Sequence, residues 1–373
     1  EIEMKIIDMA KPELDQSDIN EVLEVLSSGR LALGPKAQEF EEKMAEYIGV
    51  KYAVAVSSGT SALHILIRAL GVGPEDEVLV PSFTFASTVN VALYEKAKPV
   101  FVDIEPETYN LDPNDLQKKI TKKTKAVLGV DVFGHPAEWD EILKVAERYN
   151  LKIIDDSCEA LGAEYKGRKI GQFGDAACFA FYPNKQITTG EGGIIVTNNS
   201  EIHTLARSLR NQGRDEMGAW LEHKRLGYNY RMDEMSAALG VSQLKKIEMF
   251  LQKREKVARM YTERLKTFSW VRPQIVRPYV RMSWFIYVVT LSEEINRDRV
   301  MKKMEEKGIA TRNYFSPIHL QPYMKDYVDT DVLRLPVTES ISRRTLALPF
   351  HNNLSESEID LVIEALKEAV ESC

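Results

Sequence analysis

One pattern constrains the fold of this 373-residue chain more than any other. From residue 52 to residue 156, short apolar runs alternate with turns and with segments of helical periodicity. The apolar runs lie at 52–56, 77–80, 99–102, 125–130 and 151–154. Strands that alternate with helices form a mainly parallel sheet covered by helices on both faces. The predicted fold class is therefore α/β, with a large domain built on such a sheet.

Polar segments follow three of these predicted strands. The sequence Ser57-Ser58-Gly59-Thr60 follows the first strand, residues 81–85 follow the second, and Asp155 and Asp156 end the last. In parallel sheets, ligands bind beyond the carboxyl ends of the strands. We therefore expect these three segments to lie together around a ligand site.

The C-terminal third shows a different arrangement. Residues 243–268 form a long, charged stretch of helical periodicity, which we interpret as a connecting helix. After it come an apolar strand at 284–291, a helix at 298–307 and an amphipathic helix at 355–371. We predict a large cofactor-binding domain at 1–242 and a smaller α+β domain at 269–373, a division that the chain length allows.

Composition excludes several classes of function. The net charge of −7 argues against a nucleic-acid partner, and no apolar window is long enough to cross a membrane. The three cysteines (Cys158, Cys178 and Cys373) fit neither a disulfide framework nor a zinc motif, and the six histidines include no H-x-x-x-H pair. We expect a cytoplasmic protein with no metal site and no membrane partner.

Lys185 is the most informative single residue. It lies between two apolar runs, at 176–182 and 193–197, both of which are predicted to be buried strands. A Lys is rarely placed between core strands, because a buried ammonium is costly unless it is paired or loses its proton. The neutral amine is a nucleophile that can form a Schiff base with an aldehyde. Taken alone, a Lys on an exposed loop remains the commoner arrangement, so this interpretation depends on the other segments.

The turn after the first strand can serve as an anion site. A strand, a Gly-containing turn and a helix leave several backbone N–H groups directed at one place, where the helix dipole favours a phosphate. Ser58, Gly59 and Thr60 occupy this turn. The same residues are also typical of an ordinary helix N-cap, and both alternatives stay open here.

The two other segments are equally ambiguous when taken singly. Successive residues of a strand face opposite ways, so only one of Asp155 and Asp156 can face the ligand. The carboxylate of that residue could hold a ring nitrogen protonated. The alternative is that the Asp caps the following turn. Phe85 could stack on a flat ring or belong to the core. A phosphate cradle, an aromatic platform, a carboxylate and a Lys together are the groups that pyridoxal 5′-phosphate requires.

The chain resembles the sugar aminotransferases of the DegT/DnrJ/EryC1/StrS family, within the fold type I pyridoxal-phosphate enzymes. Five motifs in the family's order carry the resemblance: VSSGTSAL (56–63), DEVLVPSFTFAST (76–88), IIDDSCEALGAEYKG (153–167), FYPNKQITTGEGG (181–193) and GYNYRMDEMSAALG (227–240). The resemblance implies transfer of an amino group, with L-glutamate as the donor, to a keto-sugar attached to a nucleotide. A 4-keto-6-deoxyhexose is the first expectation for the acceptor; amination at the 3-position and the nucleotide (UDP, GDP or dTDP) stay open.

The resemblance also implies roles for individual residues in holding the cofactor. Lys185 is similar to the family's Schiff-base lysine and catalytic acid–base, and Asp156, rather than Asp155, to the partner of the ring nitrogen. The other positions similar to cofactor-binding residues are Ser58, Gly59 and Thr60 for the phosphate, Phe85 for stacking, Glu159 near the ring hydroxyl, and Asn229 and Arg231. Asn229 matches a residue that family members provide across a homodimer interface, so the resemblance implies a homodimer with shared active sites.

On the substrate side, the resemblance implies contacts from the loop at 31–35, from a residue before the Lys and from the segment at 312–321. The residues at these places are Leu33, Tyr182, Tyr314 and His319.

Two positions depart from the family pattern. Glu159 stands where the family usually has Gln, and Ala180 stands where it usually has Ser, five residues before the Lys. Our hypothesis is that Glu159 places negative charge beside the cofactor's phenolate oxygen and so raises the pH at which the lysine-bound cofactor loses its proton. Without a Ser at 180, phosphate binding must depend more on Gly59, Thr60 and Asn229.

Three alternatives are less well supported by the residues. A pyridoxamine-dependent sugar dehydratase of the same fold would have His in place of Lys185. A non-catalytic, sugar-responsive regulator would not need the Lys, the Asp and the phosphate cradle, and no basic DNA-reading segment is evident. A cysteine desulfurase-like enzyme would need a reactive Cys on a mobile loop, whereas Cys158 and Cys178 lie in apolar stretches.

Overall fold

The computed structural model describes residues 6–218 and 220–373. Its strands, in chain order, are β1 (Tyr52–Val56), β2 (Glu77–Pro81), β3 (Lys98–Val102), β4 (Thr124–Val130), β5 (Lys152–Asp156), β6 (Glu164–Tyr165), β7 (Arg168–Lys169), β8 (Ala176–Ala180), β9 (Gly193–Thr197), β10 (Val271–Pro273), β11 (Val280–Arg281), β12 (Tyr287–Leu291) and β13 (Thr345–Leu348).

The α-helices are α1 (Gln16–Ser28), α2 (Pro35–Ile48), α3 (Gly59–Ala69), α4 (Ala86–Tyr94), α5 (Pro113–Lys118), α6 (Trp139–Tyr149), α7 (Ser200–Arg210), α8 (Glu234–Leu244), α9 (Ile247–Leu265), α10 (Arg297–Glu306), α11 (Pro336–Arg344) and α12 (Glu356–Glu371). Short 3-10 turns lie at Val132–Gly134, Ile318–Leu320 and Pro322–Asp326.

The central sheet has seven strands in the order β1-β9-β8-β5-β4-β2-β3. The pairs β8–β5, β5–β4, β4–β2 and β2–β3 are parallel, whereas β9 is antiparallel to both of its neighbours. The prediction of a mainly parallel α/β sheet is confirmed. Six strands, β1, β2, β3, β4, β5 and β8, end at the same edge, and the site described below lies there.

Alternation along the strands builds two apolar layers. Val127 and Ile153 belong to the layer under α2, α6 and α8, whereas the next residues, Leu128 and Ile154, belong to the layer under α3, α4 and α7. All four side chains are buried. Because both faces of the sheet are buried, these strands are continuous apolar runs in the sequence.

The C-terminal part has its own apolar cluster. The antiparallel sheet β10–β12–β13 packs against α9, α10 and α12, with Tyr261, Tyr287 and Leu366 among the buried side chains. The helices predicted at 298–307 and 355–371 are confirmed within one residue as α10 and α12. The domain division at 242 and 268 stays a prediction.

Two predicted elements need correction. The stretch at 243–268 is not one helix, because α8 ends at Leu244 and α9 begins at Ile247. Lys246, between them, forms an ion pair with Asp18 of α1. The strand predicted from residue 284 begins only at Tyr287, because Trp284 has a positive φ of 51°. Among the described residues, no helix is both long and apolar enough to cross a membrane.

Candidate active site

A cavity of about 440 Å³ lies at the carboxyl ends of the central strands. Its wall includes nine residues singled out from the sequence: Ser58, Gly59, Thr60, Phe85, Asp156, Glu159, Tyr182, Lys185 and Tyr314. The three polar segments that follow β1, β2 and β5 therefore lie together, as expected from the parallel sheet.

The phosphate cradle is the N-terminus of α3. Ser58 is the N-cap: its Oγ accepts a hydrogen bond from Ser61 N (3.0 Å), and Ser61 Oγ accepts one from Ser58 N (2.9 Å). The Ser58 hydroxyl is therefore occupied as a cap. The first two helical N–H groups, on Gly59 and Thr60, lie in the cavity wall, where the helix dipole favours an anion.

Gly59 is also required by packing. A Cβ atom on Gly59 would lie 2.8 Å from Ala180 Cβ and 2.9 Å from Cys158 Sγ, which is too close for any side chain. The small Ala180 therefore packs directly against the cradle. Ala180 is the residue that stands where the family usually has Ser.

Asp156 faces the cavity. Its Oδ2 accepts a hydrogen bond from Thr88 Oγ1 (2.8 Å), and its Oδ1 accepts one from Cys158 N (3.2 Å). Thr88 in turn bonds Thr84 (2.8 Å), so the carboxylate is held by α4 and by the turn after β5. A carboxylate fixed in this way can accept a hydrogen bond from a protonated ring nitrogen.

Asp155 faces the opposite side of the sheet, as alternation requires. It is completely buried beside Asp131, which follows β4. Asp131 Oδ1 accepts bonds from Ala137 N (2.8 Å) and Trp139 Nε1 (2.9 Å), whereas its Oδ2 and both Asp155 oxygens lack a donor among the described residues. Burial and the neighbouring Asp131 raise the pKa of Asp155 well above its usual value. Asp155 therefore carries a proton, which it can donate to Asp131.

Lys185 lies half-buried in the cavity wall, with its Nζ 4.0 Å from the centre of the Phe285 ring. The two strands predicted on either side of the Lys are confirmed as β8 and β9. The Lys lies in the loop between them, which opens into the cavity. Phe285, which the sequence did not single out, provides a ring face that favours the cation.

Glu159 also lines the cavity and is almost fully buried. Its Oε2 accepts a hydrogen bond from Phe133 N (2.8 Å), and its main-chain oxygen accepts one from Gln186 Nε2 (2.7 Å). Burial raises the pKa of the Glu159 carboxyl to about 7, although the charge of Lys185 acts in the opposite direction. Near neutral pH this side chain therefore exists in both charge states.

Two thiols lie behind the cavity wall. Cys158 Sγ and Cys178 Sγ are 3.7 Å apart, and with an Asp156 oxygen their ligand atoms lie within 4.8 Å of one another. The sequence spacing did not indicate this cluster. Contact with Cys178, and then burial, raises the pKa of Cys158 well above its usual value, and burial raises that of Cys178. Both sulfurs are therefore protonated near neutral pH.

The predicted substrate-side residues separate into two groups. Tyr182, which is 52% exposed, and the partly buried Tyr314 both line the cavity. His319 does not, because it is completely buried between Ser82 Oγ (2.6 Å) and Glu339 Oε1 (3.0 Å). The prediction that His319 contacts the substrate does not agree with this position, where the ring supports the segment after β2.

Three predicted residues lie away from this cavity. Leu33 and Arg231 line a second cavity of about 400 Å³, where Arg231 Nη1 donates to Asn211 Oδ1 (3.0 Å). Asn229 is exposed and forms an isolated bridge with Asn211. The chain does not bring these residues to its own Lys185.

The residues in the first cavity fit pyridoxal 5′-phosphate. The N-terminus of α3 suits the phosphate, Asp156 suits the ring nitrogen, and Lys185 suits the aldehyde. Phe85, which is 62% exposed, presents an unpacked aromatic face in the same wall. A cavity of about 440 Å³ is in the size range of cofactor sites.

Comparisons with known proteins agree with this geometry. The model of the DegT/DnrJ/EryC1/StrS aminotransferase family matches residues 12–367. The GDP-perosamine synthase of Caulobacter vibrioides is 39% identical over 372 residues, which cover 98% of each chain.

Two solved structures extend the comparison. PseC of Helicobacter pylori, an aminotransferase involved in pseudoaminic acid biosynthesis, superposes with a TM-score of 0.94, at 31% identity over 99% of this chain and 100% of that one. The PLP form of the putative sugar aminotransferase Spr1654 of Streptococcus pneumoniae superposes with a TM-score of 0.92, at 28% identity over 99% of each chain. The chain belongs to the DegT/DnrJ/EryC1/StrS aminotransferase family, and it is a pyridoxal 5′-phosphate-dependent sugar aminotransferase.

Proposed function

We propose that this enzyme transfers an amino group from L-glutamate to a nucleotide-linked 4-keto-6-deoxyhexose. The observation that carries the proposal is the cavity, which holds the Lys185 amine, the Asp156 carboxylate and the N-terminus of α3 in one space of about 440 Å³. The name of the Caulobacter relative, GDP-perosamine synthase, makes a GDP-linked sugar the first acceptor to test. A 3-keto-sugar is the alternative acceptor.

Lys185 is the proposed catalytic acid and base. Its Nζ would hold the aldehyde carbon of pyridoxal phosphate in the resting enzyme. As a free amine, Nζ would take the proton from the donor's α-carbon in the first half-reaction and would return a proton to the aminated carbon of the acceptor sugar in the second. The face of Phe285, at 4.0 Å, stabilises the charge that Lys185 carries after it takes the proton.

Asp156 holds the proton on the ring nitrogen. Thr88 and the Cys158 N–H orient its two oxygens, so the carboxylate does not need to reorganise during the reaction. Bound pyridoxal phosphate supplies a protonated ring that accepts the electrons released at the α-carbon. Phe85 provides the stacking face for this ring.

We infer that two copies of the chain share their sites. Asn229, Arg231 and Leu33 lie outside the chain's own Lys185 cavity, and the Asn229 side chain is exposed. In a homodimer, Asn229 of a second copy would bind the phosphate together with Gly59 and Thr60. This additional contact would compensate for the hydroxyl that Ala180 lacks.

We also propose that the chain divides into domains at 1–242 and 269–373, and that the protein is cytoplasmic.

The test begins with the absorbance of the purified protein. Wild type should be yellow, and glutamate should replace the band of the lysine-bound cofactor with that of the amine form. Keto-sugar nucleotides offered one at a time should restore the first band, beginning with GDP-linked sugars.

Lys185→Ala should abolish both changes, whereas Lys144→Ala, at an exposed Lys that pairs with Glu141, should leave them intact. A yellow protein unmoved by glutamate would contradict the donor. A colourless protein that takes up no pyridoxal phosphate would contradict the assignment of Lys185 and favour the regulator.

A further inference from the structure

Arg254, in α9, is a buried cation with an unusual set of partners. Its side chain is 4% exposed, yet within the described residues no carboxylate forms an ion pair with it. The charge of Glu13 attracts it from a distance, but the ion pair of Glu13 is with Lys253. Burying a guanidinium without a carboxylate is costly, so its other contacts must offset that cost.

Most of those contacts are main-chain carbonyls, and the centre of the Phe350 ring lies 5.7 Å from the guanidinium carbon. Nη1 donates to the oxygens of Trp284 (2.9 Å) and Phe285 (3.0 Å), and Nη2 donates to the oxygen of Lys185 (3.1 Å). Burial lowers the pKa of Arg254 to about 10, so the side chain remains charged at neutral pH. Hydrogen bonds from a charged donor in a buried site are stronger than neutral ones.

The three carbonyls belong to two separate segments, and both bear on the reacting amine. One segment is the loop after β8 that carries Lys185, and the other is the irregular segment that precedes β12. From the second segment, the Phe285 ring lies 4.0 Å from Lys185 Nζ. Arg254 therefore holds the main chain of Lys185, which carries the amine, and the main chain of Phe285, which carries the ring beside it.

We propose that Arg254 is a positioning residue for Lys185, which fixes the main chain at Lys185 and at Phe285 so that the amine keeps its direction into the cavity. This inference rests on the proposed function, which makes Lys185 the reacting amine. An Arg suits the task because its planar fork offers five donors in fixed directions. A Lys has its donors on one nitrogen, so it does not reproduce the two nitrogens with which Arg254 bonds both segments.

The experiment uses Arg254→Lys and Arg254→Met, with Arg259→Met as the matched control. Arg259 lies in the same helix and is exposed. The first readout needs no activity: the acetylation rate of Lys185 in the cofactor-free protein, followed by mass spectrometry against pH, with exposed lysines as internal references. The second is the pH titration of the absorbance band of the lysine-bound cofactor. The third separates kcat from KM for the keto-sugar.

We expect Arg254→Met to lower kcat by about 10²-fold and Arg254→Lys by about tenfold, because small misplacements of a reacting group cost factors of this size. KM for the keto-sugar should change by less than about threefold, since no substrate contact is removed. The acetylation profile of Lys185 and the pH midpoint of the absorbance band should both shift, whereas Arg259→Met should behave as wild type. Arg254→Lys retains a buried cation and serves if Arg254→Met does not fold.

A lower melting temperature with an unchanged acetylation profile, absorbance titration and kcat would overturn the proposal and leave Arg254 a purely structural residue. Failure of the proposed function is recognised separately. Borohydride reduction of the wild-type protein must attach the cofactor at Lys185. Attachment elsewhere would contradict the assignment of Lys185 itself, whatever the Arg254 variants do.

Discussion

Two aspartates at the end of β5 are adjacent in the chain and chemically identical, yet they lie in opposite environments. Asp156 faces the cavity and accepts hydrogen bonds from Thr88 and from the Cys158 N–H. Asp155 faces the apolar layer on the other side of the sheet, where its neighbour is another carboxyl, Asp131. The face of the strand, not the residue type, decides which of them can take part in chemistry.

The neighbours of each aspartate explain the difference. Donors around Asp156 satisfy its negative charge and leave it able to receive a proton-bearing ring nitrogen. Neither Asp155 oxygen has a hydrogen-bond partner among the described residues, and the adjacent charged group is the carboxyl of Asp131, so the pair is satisfied when a single proton lies between the two carboxyls. One aspartate therefore acts as an acceptor in the site, and the other as a neutral donor beneath it.

The largest effect should come from Asp156→Asn. An amide lacks the negative charge that keeps a ring nitrogen protonated, so the rate of the glutamate half-reaction should fall by about 10³-fold. Stopped-flow absorbance with glutamate measures this rate. Asp155→Asn is the matched control, since it alters the adjacent residue on the opposite face, and it should retain activity within about threefold. Equal losses in the two variants would contradict the comparison.

The next effect concerns stability against pH. The folded state retains the Asp155 proton at pH values where the unfolded chain has lost it, so the stabilisation is complete below about pH 3.9 and is lost as pH rises toward the folded pKa. Asp155→Asn offers Asp131 an N–H donor at every pH. The free energy of unfolding of Asp155→Asn should therefore increase relative to that of wild type as pH rises, by at most about 1.4 kcal/mol per pH unit.

Denaturant unfolding of both proteins from about pH 5 to about pH 9 measures this gain. The groups that face Asp155 besides Asp131 are Ser157 and Cys178. Asp331→Asn, in an exposed loop, is the control and should follow wild type. Parallel curves for wild type and Asp155→Asn would show that Asp155 is not protonated in the folded protein.

A smaller effect is expected at Glu159, the acidic residue on the cavity side. With its pKa raised to about 7, the carboxyl is charged above neutral pH and disfavours negative charge on the cofactor's ring oxygen. Glu159→Gln should therefore lower the pH midpoint of the lysine-bound cofactor's absorbance by about one unit. A spectrophotometric titration of both proteins gives the midpoints. No shift would contradict the hypothesis that Glu159 raises this midpoint.

The smallest effect should come from Cys158→Ser. The thiol is protonated, and its main-chain N–H, not its sulfur, holds Asp156. Activity should stay within about threefold of wild type, and stability within about 1 kcal/mol. Steady-state kinetics and thermal unfolding provide the two numbers. Complete loss of activity in a folded variant would revive the cysteine desulfurase-like alternative.

The sequence predicted the parts of the fold that depend on local periodicity. The strands β1 to β5 and the cavity residues that follow them could be read from apolar runs and from the rule that ligands bind beyond strand ends. Asp156 could be separated from Asp155 only through the family resemblance, because alternation alone does not say which residue faces which side. The structure places Asp156 on the cavity side.

What the sequence missed depends on contacts between distant residues. Arg254 and Lys185 are 69 residues apart, and Phe285 meets Lys185 only because the segment before β12 returns to the main sheet. The proton on Asp155 depends on Asp131, which follows the neighbouring strand β4. The break between α8 and α9 contains no Gly or Pro, so the local sequence did not predict it.

The bonds of Arg254 to main-chain oxygens have a consequence for protein engineering. Because the guanidinium contacts the carbonyls of residues 284 and 285, the side chains at these positions can be exchanged without removing its partners. Phe285 lines the cavity, so exchanging it for another aromatic residue would change the cavity wall while keeping both a ring face beside Lys185 and the carbonyl bonded to Arg254. Variants with Tyr or Trp at Phe285 should therefore yield folded enzymes with altered substrate range more often than substitutions of Arg254.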